Sequence, residues 1–156
     1  MSWFLGALAL LLALMGQLML SAAWPKSVIF FDLPLLVVLY YGQDRGPAVA
    51  LTLGAGVGIL QDSLTGSLLG PGAVSRSLVG FVLGTAGLRF VLTRPLPQLL
   101  VVAGGTLAAR LVELLTLTVM GRQLAPPSPL DLLAAVAGNT AVGWIAFRIL
   151  HRETTR

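Results

Sequence analysis

The stretch Trp3–Ala23 contains no charged residue and is long enough to cross a lipid bilayer as a helix. The hydrocarbon core of a bilayer is about 30 Å thick and needs about 20 apolar helical residues. The stretch is long for the apolar region of a signal peptide, and no basic residue precedes it, so we expect an uncleaved membrane helix. Only 10% of the whole chain is charged, against about 25% in soluble domains. The chain is therefore expected to be an integral membrane protein.

Further apolar segments follow the first one. The sequence predicts about six transmembrane helices, at residues 3–23, 28–41, 46–62, 73–92, 96–120 and 130–150. The second and third are short for a full crossing, and a re-entrant hairpin is the alternative. That hairpin would place Asp44 and Arg45 in the hydrocarbon at about 2.5–3.5 kcal/mol each, which favours two tilted crossings. Short connections predict one compact all-α transmembrane domain over residues 1–156, without a soluble domain.

The basic residues predict how these helices are oriented. Cytoplasmic connections of membrane proteins are enriched in Lys and Arg. With a cytoplasmic N-terminus, the cytoplasmic side holds Arg45, Arg89, Arg94, Arg148, Arg152 and Arg156, and the outer side holds Lys26, Arg76 and Arg122. Both termini are therefore expected to face the cytoplasm, with residues 58–72 on the outer side.

The composition argues against enzymes, metalloproteins and nucleic-acid-binding proteins. The chain has no cysteine, which excludes disulfides, thiolate catalysis and Cys-based metal sites. Its one histidine, His151, lies in the charged terminal segment. The net charge is +4, but the basic residues are scattered singly instead of forming a basic patch. We expect a non-enzymatic protein that needs no cofactor or metal and binds no nucleic acid.

Small residues recur every four positions on three of the predicted helices. Such stripes let membrane helices approach closely. They serve either packing inside the bundle or docking of a partner's transmembrane helix, and both interpretations stay open. The residues are Ala50, Gly54 and Gly58 on the third helix, Gly80 and Gly84 on the fourth, and Ala134 and Gly138 on the sixth.

A few charged residues fall inside the predicted helices. Arg110 and Glu113 are three residues apart and hence share a helix face. At that depth they are expected to form an ion pair, which either holds the bundle together or marks a partner or ligand site. Asp32 is expected at the membrane interface, near the outer end of the second helix. Arg76 can reach the outer surface or meet Asp62.

The stretch GILQDSLTGSLLGPG, residues 58–72, adds polar residues and glycines to the end of an apolar run. Backbone that leaves a helix inside a membrane needs hydrogen-bond partners. Asp62 can accept hydrogen bonds from N–H groups of the following turn, which Gly66, Gly70 and Gly72 make sterically accessible. The result is either an ordered loop alone or an ordered outer surface for a partner.

Two blocks of the sequence carry a family pattern. The first, FDLPLLVVLYYGQDRGP at residues 31–47, has an aspartate opening a leucine-rich helix that ends in aromatic residues and a basic turn before Gly-Pro. The second, GAGVGILQDSLTGSLLGPGAVSRSLVGFVLG at residues 54–84, has a glycine-rich helix, then Gln-Asp, Gly and Leu-Gly, and then a further helix. Both blocks resemble the MreD family of bacterial rod-shape-determining membrane proteins. Pro34 and Asp44 depart from the family pattern.

The resemblance implies a scaffold of the cell-elongation machinery in the bacterial inner membrane. The usual partner of the family is MreC, a single-span protein with an outer domain. Their assembly links MreB filaments to the wall-building glycosyltransferase and transpeptidase. The residues expected to order the loop or to contact a partner are Asp32, Gln61, Asp62, Gly66, Gly70 and Arg76. The oligomeric state is left open.

A second function follows from a further likeness. The MreD family resembles the substrate-binding membrane subunits of energy-coupling-factor vitamin transporters, which have six helices and outer ligand loops. A subunit that binds a small ligand is therefore the alternative. Such a site needs polar side chains that converge from several helices, and the candidates are Asp32, Gln61, Arg110, Glu113 and Asn139.

Overall fold

The computed structural model describes residues 3–24, 30–66, 68–89, 95–122 and 127–154. Over these residues the chain forms six α-helices and no strand. They are α1 (Trp3–Ala23), α2 (Leu33–Arg45), α3 (Pro47–Leu64), α4 (Pro71–Arg89), α5 (Pro95–Val119) and α6 (Pro129–Thr154). Four helices contain a stretch long and apolar enough to cross a membrane: Gly6–Ala23, Pro47–Leu64, Leu96–Val119 and Pro129–Ala146. This architecture suits a membrane bundle, and the number of crossings stays a prediction.

Proline and glycine set the boundaries of several helices. Pro47, Pro71, Pro95 and Pro129 are the first residues of α3, α4, α5 and α6. At the first position of a helix the backbone N–H has no acceptor within the helix, so the lack of an N–H in proline costs nothing there. The fixed φ of proline also suits helical backbone. Gly46, with φ of 90°, is the single non-helical residue between α2 and α3. This left-handed backbone favours glycine.

The second predicted helix, 28–41, differs from the observed helix, because Phe31 and Asp32 are not helical and the helix ends later than predicted. Residues 25–29 lie outside the described part of the chain, and α2 begins only at Leu33. Asp32 is the N-cap, and its Oδ1 accepts a hydrogen bond from the Leu35 N–H at 3.1 Å. Pro34 falls in the first helical turn, where proline is tolerated. At the other end the helix continues to Arg45 instead of turning after the tyrosines.

The other predicted helices lie within a few residues of the observed ones. The predictions 3–23, 46–62, 73–92, 96–120 and 130–150 correspond to α1, α3, α4, α5 and α6. Residues 90–92, at the end of the fourth prediction, are outside the described residues. The agreement follows from long apolar runs that proline and glycine interrupt.

The short helix α2 is the centre of the bundle. It contacts each of the other five helices. Its 13 residues extend about 20 Å, less than the about 30 Å of a bilayer core. Neighbours on several sides bury most of it: Pro34, Leu35, Leu36, Val38, Leu39, Tyr41 and Gly42 are buried. The surrounding helices therefore enclose α2.

Glycines hold α3 and α4 in close contact. A Cβ on Gly54 would lie 2.6 Å from the backbone carbonyl carbon of Arg76, and one on Gly58 would overlap the backbone of Ala73. A Cβ on Gly84 would lie 2.8 Å from the Cα of Pro47. These three glycines therefore pack inside the bundle and set the distance between the two helices.

The remaining small residues of the predicted stripes also lie inside or at the edge of the bundle. Ala50 is fully buried, and a Cβ on Gly80 would lie 3.0 Å from its carbonyl oxygen. On α6, a Cβ on Gly138 would lie 2.6 Å from the carbonyl oxygen of Phe30, and Ala134 is partly buried. Backbone thus approaches backbone at several points around α2.

The outer surface of the bundle is strongly apolar. Large apolar side chains are exposed along α1, α5 and α6, including Leu11, Leu12, Met19, Leu115, Val119, Leu130 and Leu133. So many exposed apolar side chains are unsuited to water and need lipid or another protein to cover them.

Candidate functional site

A layer of buried polar side chains crosses the bundle. Every helix or its cap contributes at least one member, and each member is at most 8% exposed. We name this set the polar layer: Gln17, Asp32, Gln61, Asp62, Arg76, Thr106 and Asn139. Buried polar groups need partners, so the contacts among these side chains decide what the layer does.

An ion pair between Arg76 and Asp32 lies at the centre of the layer. Arg76 Nη2 donates to Asp32 Oδ2 at 2.8 Å, and the two side chains are 4% and 8% exposed. The other carboxylate oxygen of Asp32 caps α2 through the Leu35 N–H. One carboxylate therefore ties α4 to the start of α2. Of the two positions expected for Arg76, the structure shows the contact with Asp62, since the residue is only 3% exposed. Asp32 is 5% exposed and lies inside the bundle, and its depth in the membrane stays a prediction.

Asn139 of α6 connects two other helices to this centre. Its Oδ1 accepts a hydrogen bond from the Asp32 backbone N–H at 2.8 Å. Its Nδ2 donates to Thr106 Oγ1 on α5 at 3.3 Å. Both Asn139 and Thr106 are fully buried. The amide side chain thus joins α5 and α6 to the N-cap of α2.

Gln17 of α1 binds two further backbone groups at the start of α2. Its Nε2 donates to the Phe31 carbonyl at 3.0 Å, and its Oε1 accepts from the Leu33 N–H at 3.2 Å. Backbone outside a helix needs such partners inside an apolar bundle. Gln17 is 3% exposed and belongs to a helix without charge. The sequence analysis did not predict that Gln17 binds backbone groups at the start of α2. The signal that could have indicated this role is a glutamine within a long apolar segment.

Asp62 holds the loop between α3 and α4. Its Oδ2 accepts hydrogen bonds from the Gly70 N–H at 2.9 Å and from the Gly72 N–H at 3.1 Å. Gly66 and Gly70 have φ of 65° and 120°, which side-chain-bearing residues rarely adopt. The carboxylate is 6% exposed, and Ser67 of this loop lies outside the described residues. A buried acceptor therefore sets the path of the loop.

The guanidinium of Arg76 faces both carboxylates. A Cβ on Gly72 would overlap Asp62 Oδ1 and lie 2.6 Å from Arg76 Nη1, so these groups meet at Gly72. Arg76 interacts electrostatically with Asp62 as well as with Asp32. Within the described residues, Arg76 Nε and Gln61 Oε1 are buried and have no hydrogen-bond partner. Most side chains of the polar layer are thus hydrogen-bonded or ion-paired, whereas these two buried atoms have no hydrogen-bond partner.

Arg110 and Glu113 border the layer on the side of α5. Arg110 Nη1 and Glu113 Oε2 are 3.7 Å apart, and the side chains are 22% and 30% exposed. Glu113 interacts electrostatically with Arg76, Asp32 and Asp62 across the bundle. The structure therefore brings the two residues together but leaves them partly uncovered. Among the described residues, no group of three or more His, Cys, Asp or Glu could hold a metal ion.

Over the part of the chain that the structure describes, the fold and the site define an all-helical protein with four helices of membrane-crossing length and composition and a buried polar layer. Comparison with family models, with curated proteins and with solved structures finds no match.

Proposed function

We propose that this protein is a non-enzymatic scaffold of the MreD type in the bacterial inner membrane. It binds MreC and helps to couple MreB filaments to the glycosyltransferase and transpeptidase that build the wall of rod-shaped cells. The observation that carries the proposal is the anchoring of the loop between α3 and α4, where Asp62 accepts hydrogen bonds from the N–H groups of Gly70 and Gly72. This loop is the most specific part of the blocks that resemble the family.

The loop offers a surface that suits a protein partner. Leu64 and Leu69 flank its turn and are 54% and 58% exposed. Exposed apolar side chains on an ordered backbone favour protein contact, because little conformational entropy is lost on binding. Anchoring by a buried carboxylate supplies that order.

The proposed topology places the loop where such a partner can reach it. In this proposal the chain crosses the membrane six times and both termini face the cytoplasm. The loop between α3 and α4 then lies on the outer side. A single-span partner with an outer domain would meet it there.

A structural role also agrees with how the polar layer is used. The carboxylate of Asp32 is engaged by Arg76 and by the start of α2. Asn139 and Gln17 bind backbone groups next to that start. These side chains satisfy helix ends inside an apolar bundle, so the layer supports a fixed architecture.

A second candidate function is binding of a small ligand, as in a vitamin-type transporter subunit. The unpartnered Arg76 Nε and Gln61 Oε1 within the described residues favour it, because a polar ligand could satisfy both. Thermal unfolding in detergent with a panel of water-soluble vitamins tests this candidate. A rise in Tm that Gln61→Leu abolishes would favour it over the scaffold.

The scaffold is tested by co-purification of the full chain with full-length MreC from membranes. Asp62→Ala removes the loop acceptor, and we expect it to weaken MreC association and to round rod-shaped cells that depend on this protein. Asp62→Asn keeps an acceptor oxygen and should be milder. Asp44→Ala is the control, because the Asp44 side chain is 50% exposed at the far end of α2. Full MreC binding and normal cell shape with Asp62→Ala would refute the proposed role of the loop.

A further inference from the structure

The face of α5 that packs into the bundle is buried from Val102 to Ala109 and uncovered towards the end of the helix. Val102, Thr106 and Ala109 are at most 3% exposed. Glu113 and Met120 continue the same face at helical spacing. The Glu113 side chain is nevertheless 30% exposed and Met120 is 49% exposed. From residue 110 to residue 120 no position is buried, so the packing surface of α5 extends beyond the helices that cover it.

Glu113 has no hydrogen-bond donor within the described residues. Its one ionic partner there is Arg110, at 3.7 Å, which is beyond hydrogen-bond distance. Glu113 lies about 9 Å before the end of α5, inside the stretch Leu96–Val119 that is apolar enough to cross a membrane. A carboxylate at such depth is costly unless it is paired and hydrogen-bonded. A donor should therefore come from another molecule.

The charge of Glu113 indicates what kind of donor fits. The contact between Glu113 and Arg110, at 3.7 Å, is an ion pair without a hydrogen bond. A charge-assisted hydrogen bond to a carboxylate is shorter and stronger than a hydrogen bond between neutral groups. A cationic side chain is therefore the donor that fits Glu113.

We propose that the Glu113 face, defined as Arg110, Glu113, Thr116 and Met120, is the docking surface for a membrane-crossing helix of a partner protein. That helix carries a Lys or Arg side chain, which pairs with Glu113. Met120 supplies apolar contact beside the charge. The identity of the partner as MreC rests on the proposed function, whereas the chemistry of the surface does not.

Co-purification with full-length MreC tests the surface with a matched set of variants. Glu113→Gln removes the charge at constant size and should reduce the retained MreC about tenfold or more, as expected for loss of a buried interfacial ion pair. Glu113→Asp keeps the charge and should retain more MreC than Glu113→Gln. Leu115→Gln is the control, because it introduces the same side chain on the opposite, 64% exposed face. Thermal unfolding of each variant alone in detergent separates lost binding from lost folding.

Charge reversal and photo-cross-linking then identify the occupant. Glu113→Lys should abolish binding, and Lys→Glu or Arg→Glu in the membrane segment of the partner should restore it. A photo-reactive residue at Thr116 should capture a membrane segment that contains Lys or Arg, and Glu113→Gln should abolish that capture. The same probe at Leu115 should not capture it.

The possible failures are distinguishable. If MreC binds and Glu113→Gln retains it as well as the wild type does, the docking inference is wrong and the scaffold stands. If MreC does not bind the wild type at all, the scaffold fails and the cross-link at Thr116 decides the inference alone. Capture of lipid, of residues 25–29 of the same chain or of a second copy of this chain would overturn it.

Discussion

The ion pair between Arg76 and Asp32 should be the largest single polar contribution to the stability of the bundle. Arg76→Met removes the guanidinium at similar length and leaves the buried Asp32 carboxylate without its charge partner. Breaking such a pair typically costs about 3–5 kcal/mol. Asp32→Asn removes the opposite charge and keeps a good N-cap, so it isolates the ionic part of the contact. Asp32→Ala should cost about 1 kcal/mol more, because it also removes the cap to Leu35.

The double variant Arg76→Met with Asp32→Asn makes this reasoning quantitative. With both charges gone, no buried charge of the pair is left uncompensated, and the loss should be smaller than the sum of the two single losses. A part of the Arg76→Met cost should remain, since Arg76 also interacts with Asp62. Unfolding in detergent, followed by circular dichroism, measures the four free energies. Additivity to within about 0.5 kcal/mol would show that the two charges are not coupled.

Three further predictions follow from the geometry. Gly58→Leu should destabilise the protein strongly, because a Cβ at this position overlaps the backbone of Ala73. Gly56→Leu is the control and should not destabilise it, since nothing lies within 4 Å of the Cβ position of residue 56. Equal Tm values of the two variants in detergent would contradict this prediction. Arg110→Met and Glu113→Gln should be less damaging together than the sum of the two single changes, and strict additivity in unfolding would show that the 3.7 Å pair carries no coupling. The chain has no cysteine, so an introduced cysteine is labelled specifically. In the proposed orientation, an impermeant maleimide added outside the cell should label Leu69→Cys and should not label Asp44→Cys. The reverse pattern would refute the orientation.

The sequence predicted best what depends on neighbouring residues. Long apolar runs with few charges, between proline and glycine positions, predicted the extents of α1, α3, α5 and α6 to within a few residues. The role of Asp62 as an acceptor for the following turn is also local, because its donors Gly70 and Gly72 lie within ten residues of it. A carboxylate before a glycine-rich turn has few other N–H groups to bind.

Prediction from the sequence failed where the structure around a residue depends on a partner that is distant in the chain. Asp32 and Arg76 are 44 residues apart, and no periodicity relates them. Because residues 28–31 are apolar, they extended the predicted helix through Asp32, whereas contacts from Gln17, Arg76 and Asn139 stabilise a helix start there. The burial of Asp32 inside the bundle was not predicted, for the same reason. A charged residue near the end of an apolar run suggests the membrane interface unless its counter-charge is known.

The polar layer contains two anchoring carboxylates that share one guanidinium, and this arrangement predicts which parts of the protein loosen together. Asp62→Ala leaves Arg76 paired with Asp32, so the first turn of α2 should stay ordered while the loop N–H groups of Gly70 and Gly72 lose an acceptor worth about 1–3 kcal/mol. Arg76→Met removes a charge that both carboxylates face, so it should loosen the loop and the start of α2 together.

Amide hydrogen exchange in detergent separates these two cases. With Asp62→Ala, exchange should accelerate at Gly70 and Gly72 and stay slow at Leu35, whose N–H is bound by Asp32. With Arg76→Met, exchange should accelerate at all three amides, because Asp32 would then be a buried carboxylate without its counter-charge. Accelerated exchange at Leu35 in Asp62→Ala would show that the loop and α2 are one cooperative unit. In that case the contacts of Arg76 with Asp32 and with Asp62 would not be separable, and Arg76 would couple the loop to α2.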